Sequence, residues 1–257
     1  MKKRLHAPAR VAFAMAALLA LPAASFAQVK VIISGGFSAA YKELIPEFER
    51  TSGVTVTTSS GASVGTGPNT IPGQIRRGVP ADVVILSREG LVDLIAEGRT
   101  VAGTDTDLAR SIIGMIVRAG APKPNISTVE AFKQALIHAK SVAMSSSTSG
   151  VYLTTKLFPQ LGIADEMAKK SSFSGAAAVG RGEAEIGLQQ VSEVLPVPGV
   201  DFVGTIPEEV QYVTIYAGAV VAGSKEIDAS KRLIAFLSSA GAAAAIKKSG
   251  MEPSRKK

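Results

Sequence analysis

Apolar residues along this chain fall into short strand-like runs that alternate with stretches of helical period. Val31, Ile32 and Ile33 give way to Ser34-Gly35-Gly36, after which Tyr41, Leu44, Ile45 and Phe48 recur at helical spacing. The pattern predicts a strand, a glycine turn and a helix. Such a junction leaves backbone N–H groups unpaired at the helix start, backed by about half a positive charge from the macrodipole, and so suits an anion without any Lys or Arg. An ordinary βα turn reads the same way, because glycine-rich turns of this kind are common. Val54 to Thr58 is β-branched, Asp82 to Leu86 ("DVVIL") reads as a buried strand, and Leu91, Leu94 and Ile95 share a face of the helix after it. That alternation is βαβ grammar.

The second half repeats the design. "STVEAFKQALIHAK" places Ser127 and Glu130 at capping-box spacing, with Val129, Phe132 and Leu136 on one face. "SVAMS" from Ser141 predicts a short strand running into the polar loop Ser145 to Gly150, with a helix from about Val151. Ser111 to Arg118 and Val213 to Ala222 are long β-branched stretches about 100 residues apart, and they read as crossings between two lobes. Between them "EVLPVPGVDFVGTIPEE" predicts a loop, a strand around Phe202 and another loop. The expected division is a signal peptide over residues 1–27, lobe 1 from 28–110 plus 214–257, and lobe 2 from 111–213. Ala229 to Lys248, carrying Leu233, Ile234, Phe236 and Leu237, is expected as one helix packed on lobe 1.

The N-terminus sets the compartment. Lys2, Lys3, Arg4 and Arg10 precede an apolar run from Val11 to Leu21, and Ser25-Phe26-Ala27 supplies small residues for cleavage after Ala27. The run is short of the ~20 residues needed to span a bilayer, so a cleaved secretory leader, a periplasmic protein and no membrane insertion are expected. There is no cysteine, which excludes a lipid-anchor site, disulfides and thiol chemistry. Taking away the leader's four basic residues leaves 24 Lys and Arg against 21 acids, a net charge of +3. Those cations are scattered and tryptophan is absent, so nucleic acid is not an expected partner.

Several segments carry a resemblance. "PADVVIL", "SGVY" opening a helix, and "GEAEIGLQQVSE" near the return crossing, in that order, resemble the molybdate-binding protein family, periplasmic solute receptors of ABC transporters. The resemblance covers nearly all of the chain after the leader. It implies an α/β, two-lobed type 2 periplasmic binding protein fold, each lobe a mixed sheet flanked by helices, with two hinge crossings and a ligand in the cleft between. It also implies a small-molecule anion as partner, an ABC permease as the protein partner, a monomer, and no cofactor or metal. Ser63 falls where the family has its second-loop serine, and Ser149 where it uses a backbone N–H at a helix start. Gly36 stands at the family's first serine, Ser172 roughly where a valine contributes its backbone, and Gln190 replaces the tyrosine that closes the pocket. The loop Ser63 to Pro72 is longer than the family's, and Phe37 adds bulk beside Gly36. Losing a hydroxyl while gaining an amide suits an organic di- or tricarboxylate better than a compact oxyanion.

The expected contacts are therefore Gly36-Phe37-Ser38 and Ser63 from lobe 1, with Ser147-Thr148-Ser149-Gly150, Ser172 and Gln190 from lobe 2. Loop hydroxyls also cap and turn, Phe37 also reads as a core plug, and Gln190 as a partner for nearby backbone. Two functions follow, a receptor that presents the anion to a permease or an aconitate isomerase, a branch this chain is similar to through the missing serine and "LQQVSEVLPVPG". An isomerase needs a base near an acidified C–H and donors for the carboxylates. Tyr152, one turn into the helix after Ser149-Gly150, is the favoured candidate, with Tyr41, Glu183 and Glu193 near matched motifs. His138 faces away from the apolar side of its helix. No HExxH, Gly-x-Ser-x-Gly, P-loop or EF-hand spacing appears, so hydrolase and nucleotide readings fail.

Overall fold

The structure is a computed structural model that describes residues 27–254. The expected leader, apart from Ala27, lies outside the described residues. Strand β1 (Gln28–Ile33) turns into α1 (Gly35–Ser52), followed by β2 (Thr55–Ser60), α2 (Ile71–Arg76), β3 (Val83–Ser87), α3 (Arg88–Ala96) and β4 (Thr106–Ser111). The chain then crosses into a second sheet through β5 (Ile113–Arg118), α4 (Val129–His138), β6 (Val142–Met144) and α5 (Thr148–Tyr152). A π-helical stretch at Leu153–Leu157 carries α5 into α6 (Phe158–Gln160), and α7 (Ala164–Lys170), β7 (Ser171–Ser172), α8 (Ala176–Gly180), β8 (Ile186–Gln190), α9 (Val191–Val194) and β9 (Val200–Thr205) complete this half. Returning, β10 (Thr214–Val220) rejoins the first sheet, and α10 (Ile227–Leu237), α11 (Ala243–Lys248) and β11 (Glu252–Pro253) finish on it.

The strand orders are β11-β4-β10-β3-β1-β2 and β7-β6-β8-β5-β9. In each sheet three parallel strands (β2, β1, β3 and β7, β6, β8) meet an antiparallel one (β10 and β5), so both sheets are mixed and flanked by helices, as the resemblance implies. Strand β3 lies between β1 and β10 with all five residues buried, which explains why "DVVIL" is a continuous apolar run and not an alternating one. Phe37, Tyr41, Leu44 and Phe48 of α1 pack on one face of this sheet with Leu233 and Leu237, while Ile71, Ile75, Leu91 and Leu94 cover the other. Phe132, Leu136, Leu153 and Phe158 fill the equivalent space on the second sheet.

Three local expectations shift. The N-cap of α4 is Thr128, whose Oγ1 accepts from Ala131 N–H at 3.1 Å, and not Ser127, whose own N–H is turned to Asn125 Oδ1 at 3.0 Å. Glu130 bonds Gln134 at 2.8 Å instead of closing a box. The helix expected from Val151 begins three residues earlier, at Thr148. The tail is two helices: α10 stops at Leu237 and a 3-10 turn at Ala240–Ala242 redirects the chain into α11. Ser238, Ser239 and Gly241 weaken the helix there, and the bend lets Leu233, Leu237 and Ile246 all reach one core.

The cap makes a discriminating pair of variants. Thr128→Ala should lower stability by about 1 kcal/mol in urea unfolding, and Ser127→Ala should leave the midpoint in place. A larger effect at Ser127 would contradict the observed cap.

Candidate functional site

In open α/β sheets the carboxyl ends of parallel strands are where loops and helix starts gather, and here those ends from both sheets face one another. From the first sheet come Ser34-Gly35-Gly36 after β1, the loop after β2 with Ser63, and Ser87 at the start of α3. From the second come Ser145 to Thr148 after β6 and Gln190 after β8. Hydroxyls tie the two sides together. Ser63 N–H donates to Ser147 Oγ at 3.0 Å, Thr148 Oγ1 donates to Ser87 Oγ at 2.9 Å, and Ser63 Oγ accepts from Ser87 N–H at 2.9 Å. Two glycines permit this approach. A Cβ on Gly90 would stand 1.9 Å from the Ser63 carbonyl oxygen, and one on Gly150 would stand 1.8 Å from that of Ser145.

The start of α1 carries the strongest constraint. A Cβ on Gly35 would lie 2.9 Å from Glu193 Oε1, and one on Gly36 would lie 1.7 Å from the Tyr216 hydroxyl. Glu193 sits on α9, just past the carboxyl end of β8, and its other oxygen accepts from Gln189 Nε2 at 3.1 Å. Tyr216 comes from β10, whose antiparallel register pairs it with Ser87. Burial pushes the Glu193 carboxyl up from its usual range, against the opposing pull of hydrogen bonds at Gln189 and Gln190. Burial also pushes the Tyr216 phenol well above its usual value, helped by the nearby charges of Glu193 and Glu89. A phenol so placed is a neutral donor at any physiological pH.

The sequence candidates separate on this geometry. Gly36, Ser63, Ser147, Thr148 and Ser149 lie along the cleft, Ser149 is 1 % exposed, and its Oγ has no partner. Gly150 belongs with them through its contact with Ser145. Gln190, 1 % exposed, donates from Nε2 to Thr214 Oγ1 at 2.6 Å, and its Oε1 is unpaired. Ser38 is half-buried on the first turn of α1. Phe37 departs from the expected contacts: its ring is wholly buried in the first core, because it is the residue of the first turn that faces β1 and β3. Ser172 departs too, being exposed on an edge strand with its hydroxyl paired to Ser174 at 2.7 Å.

Among the proton-transfer candidates, Tyr152 donates its hydroxyl to the Val210 carbonyl at 2.9 Å and stacks on Tyr212 with ring centres 4.6 Å apart. Its proton is committed to the backbone, which corrects its sequence-based role. Tyr212 in turn bonds Glu89 of α3, so this aromatic pair fastens the second half to the first. Tyr41 is paired with Thr58 at 2.9 Å and pushed up to about 12 by burial, Glu183 is exposed and bonded to Arg181 at 2.6 Å, and His138 is exposed. Glu193 alone of these reaches the start of α1. Sequence reasoning missed Ser87, Gln189 and Tyr216. The last had a signal: it is the one hydroxyl-bearing aromatic in the apolar run "VTIYAGAVVA".

The raised pKa of this buried carboxyl has a consequence for stability. The folded value of Glu193 lies above the unfolded 4.5, so the contribution is fully present below that pH and is lost as pH rises through the folded value. Tyr216, facing it, stays neutral throughout. Glu193→Gln keeps the neutral form, so its thermal midpoint should match wild type near about pH 4 and exceed it by about pH 8. A variant less stable than wild type at the higher pH would contradict the direction of the shift.

The chain's relatives agree with this architecture. Residues 29–252 match the family described as bacterial extracellular solute-binding protein. An aconitate isomerase from Pseudomonas sp. is 41 % identical over 254 residues, covering 97 % of both chains. The molybdate-binding protein of Escherichia coli (strain K12) is 26 % identical over 209 residues, 76 % of this chain and 78 % of that one. The solved structure of the Azotobacter vinelandii periplasmic molybdate-binding protein superposes with a TM-score of 0.70 at 19 % identity, covering 88 % of this chain and 100 % of that one, a likeness of fold. Among the described residues no helix is long and apolar enough to cross a membrane. With a family match spanning nearly all the described residues and two lobes closing on one cleft, the chain belongs to the bacterial extracellular solute-binding proteins.

Proposed function

We propose that this protein is a periplasmic aconitate isomerase, binding an unsaturated tricarboxylate between its lobes and interconverting the cis and trans forms by an allylic proton shift. One observation carries the reading of the cleft: Ser149 Oγ, at the start of α5, and Gln190 Oε1, at the end of β8, are buried without partners. Each such group costs about 1–3 kcal/mol unless something pairs with it, and the Ser149 hydroxyl can donate to a ligand carboxylate. The Thr214 hydroxyl accepts or donates equally, so turning the Gln190 amide over keeps that bond and presents Nε2 to a carboxylate. Hydroxyls, amides and the start of α1 are neutral donors, and neutral donors at a helix start suffice for an anion.

The choice of reaction leans on the relative that is 41 % identical across both full lengths. An allylic proton shift changes no oxidation state, so it asks only for a base, a path for the proton and donors that hold the carboxylates. The leader and the absence of cysteine support export to the periplasm as a mature chain starting near Gln28. A second reading, a receptor that hands the anion to an ABC permease, is favoured by the family's description as solute-binding proteins.

Purified protein mixed with cis-aconitate should yield trans-aconitate, followed by proton NMR, and calorimetry should show tight tricarboxylate binding with weak or no molybdate binding. Ser63→Ala should weaken tricarboxylate binding by about 1–3 kcal/mol, or roughly 5–150-fold, since it removes one hydroxyl and orphans Ser87 N–H. Saturable binding without conversion would leave the receptor reading. Nanomolar molybdate affinity would overturn both.

A further inference from the structure

We infer that Glu193 is the proton-transfer group of this cleft and that the Tyr216 phenol beside it holds the substrate carboxylate on which charge develops. The inference rests on the isomerase reading and assigns residues that neither the relatives nor the motifs assign. A carboxyl is an odd occupant of an anion site, since it repels the ligand the site is built to hold. Yet the start of α1 is bare where the acid and its neighbour stand: a Cβ at Gly36 would lie 1.7 Å from the Tyr216 hydroxyl, and one at Gly35 would lie 2.9 Å from Glu193 Oε1. The two oxygens of Glu193 are also used differently. Oε2 is held by Gln189 Nε2 at 3.1 Å, whereas Oε1 faces Gly35 at the open start of α1, where a bound carboxylate would dock.

The chemistry balances without a co-reactant. The Glu193 carboxylate takes a proton from the methylene carbon of cis-aconitate, that C–H bond breaks, and its electron pair spreads over the allylic carbons into the adjoining carboxylate. The Tyr216 O–H and the α1 backbone N–H groups stabilise that charge. The protonated Glu193 then delivers the proton to the former vinyl carbon, the double bond settles one position along, and the acid returns to its starting form. Burial that lifts the Glu193 pKa makes it a stronger base and brings its value closer to a neutral working pH. A structural alternative has Glu193 as a mere counter-charge for the start of α1, which has no acidic residue in its first turn.

Kinetics and calorimetry on the full-length exported protein separate these roles. With aconitate as substrate, Glu193→Gln should lower kcat by about 10²–10⁴-fold while still binding trans-aconitate, Glu193→Asp should recover part of the rate, and Tyr216→Phe should lower kcat by a smaller factor. If Glu193→Gln lost thermal stability near neutral pH and turned over at the wild-type rate, the counter-charge role would stand and the inference would fall, leaving the isomerase intact. If wild type bound tricarboxylate and converted none, the isomerase reading would fail first and take this assignment with it.

Discussion

Helix α1 opens on two residues without side chains, and what fills the space comes from elsewhere in the chain. The Tyr216 hydroxyl stands 1.7 Å from where a Gly36 Cβ would be, about the distance at which a serine would carry its own hydroxyl. The family resemblance puts a serine at this position, and its absence first suggested a lost donor. The structure returns a hydroxyl to the same place from β10 of the same sheet. Three other features depend on that exchange. β10 must pair with β3 in the register that sets Tyr216 beside Ser87, Gln190 must tie β8 to β10 through Thr214, and α9 must lie close enough to α1 for Glu193 to face Gly35.

Around this corner hydroxyls tie the two sides of the cleft together. Ser63 with Ser147, and Thr148 with Ser87, exchange hydrogen bonds between the two sheets over distances of 2.9–3.0 Å. Hydroxyls rotate and serve as donor or acceptor, so the same groups can serve the opposite lobe or a carboxylate with little rearrangement of backbone. A cation at this position would bind a trianion more strongly but would hold its charge equally before and after proton transfer. Uniform binding of that kind does not accelerate a reaction, whereas donors aimed at one developing charge do.

The architecture was legible because it is written in periodicity. A short buried run such as Val83 to Leu86 bounded by turn signals fits a central strand, and the spacing of Val129, Phe132 and Leu136 fits a helix with one apolar face. Errors arose where two local residues compete for one role. Ser127 and Thr128 both fit a cap, and only the path of the chain past Asn125 decides between them. The meeting of the two sheets was legible where it is made of turns, as with Ser63, Ser147 and Thr148, since polar loops at strand ends announce themselves. It was opaque where long-range pairing makes it. Tyr216 reads as core in its own strand and becomes part of the cleft only through a register with β3, more than 120 residues earlier. Tyr152 erred in the opposite direction: local spacing brought it near the cleft, and a carbonyl 58 residues away claimed its proton.

A receptor and an isomerase on this scaffold differ in little that a fold comparison registers. Both close two lobes on an anion, exclude water and hold carboxylates with backbone and hydroxyl donors. The difference lies in whether a group that exchanges protons shares the enclosure. Burying a carboxyl beside an anion weakens ground-state binding, so selection for affinity alone removes it. Under the proposed isomerase reading, Glu193, with an amide to hold one of its oxygens, is the group that would exchange protons and act on the transition state. On that view Gly36 and Tyr216 belong together: a side chain at Gly36 would occupy the place of the phenol that, in the proposed reaction, holds the substrate carboxylate beside Glu193.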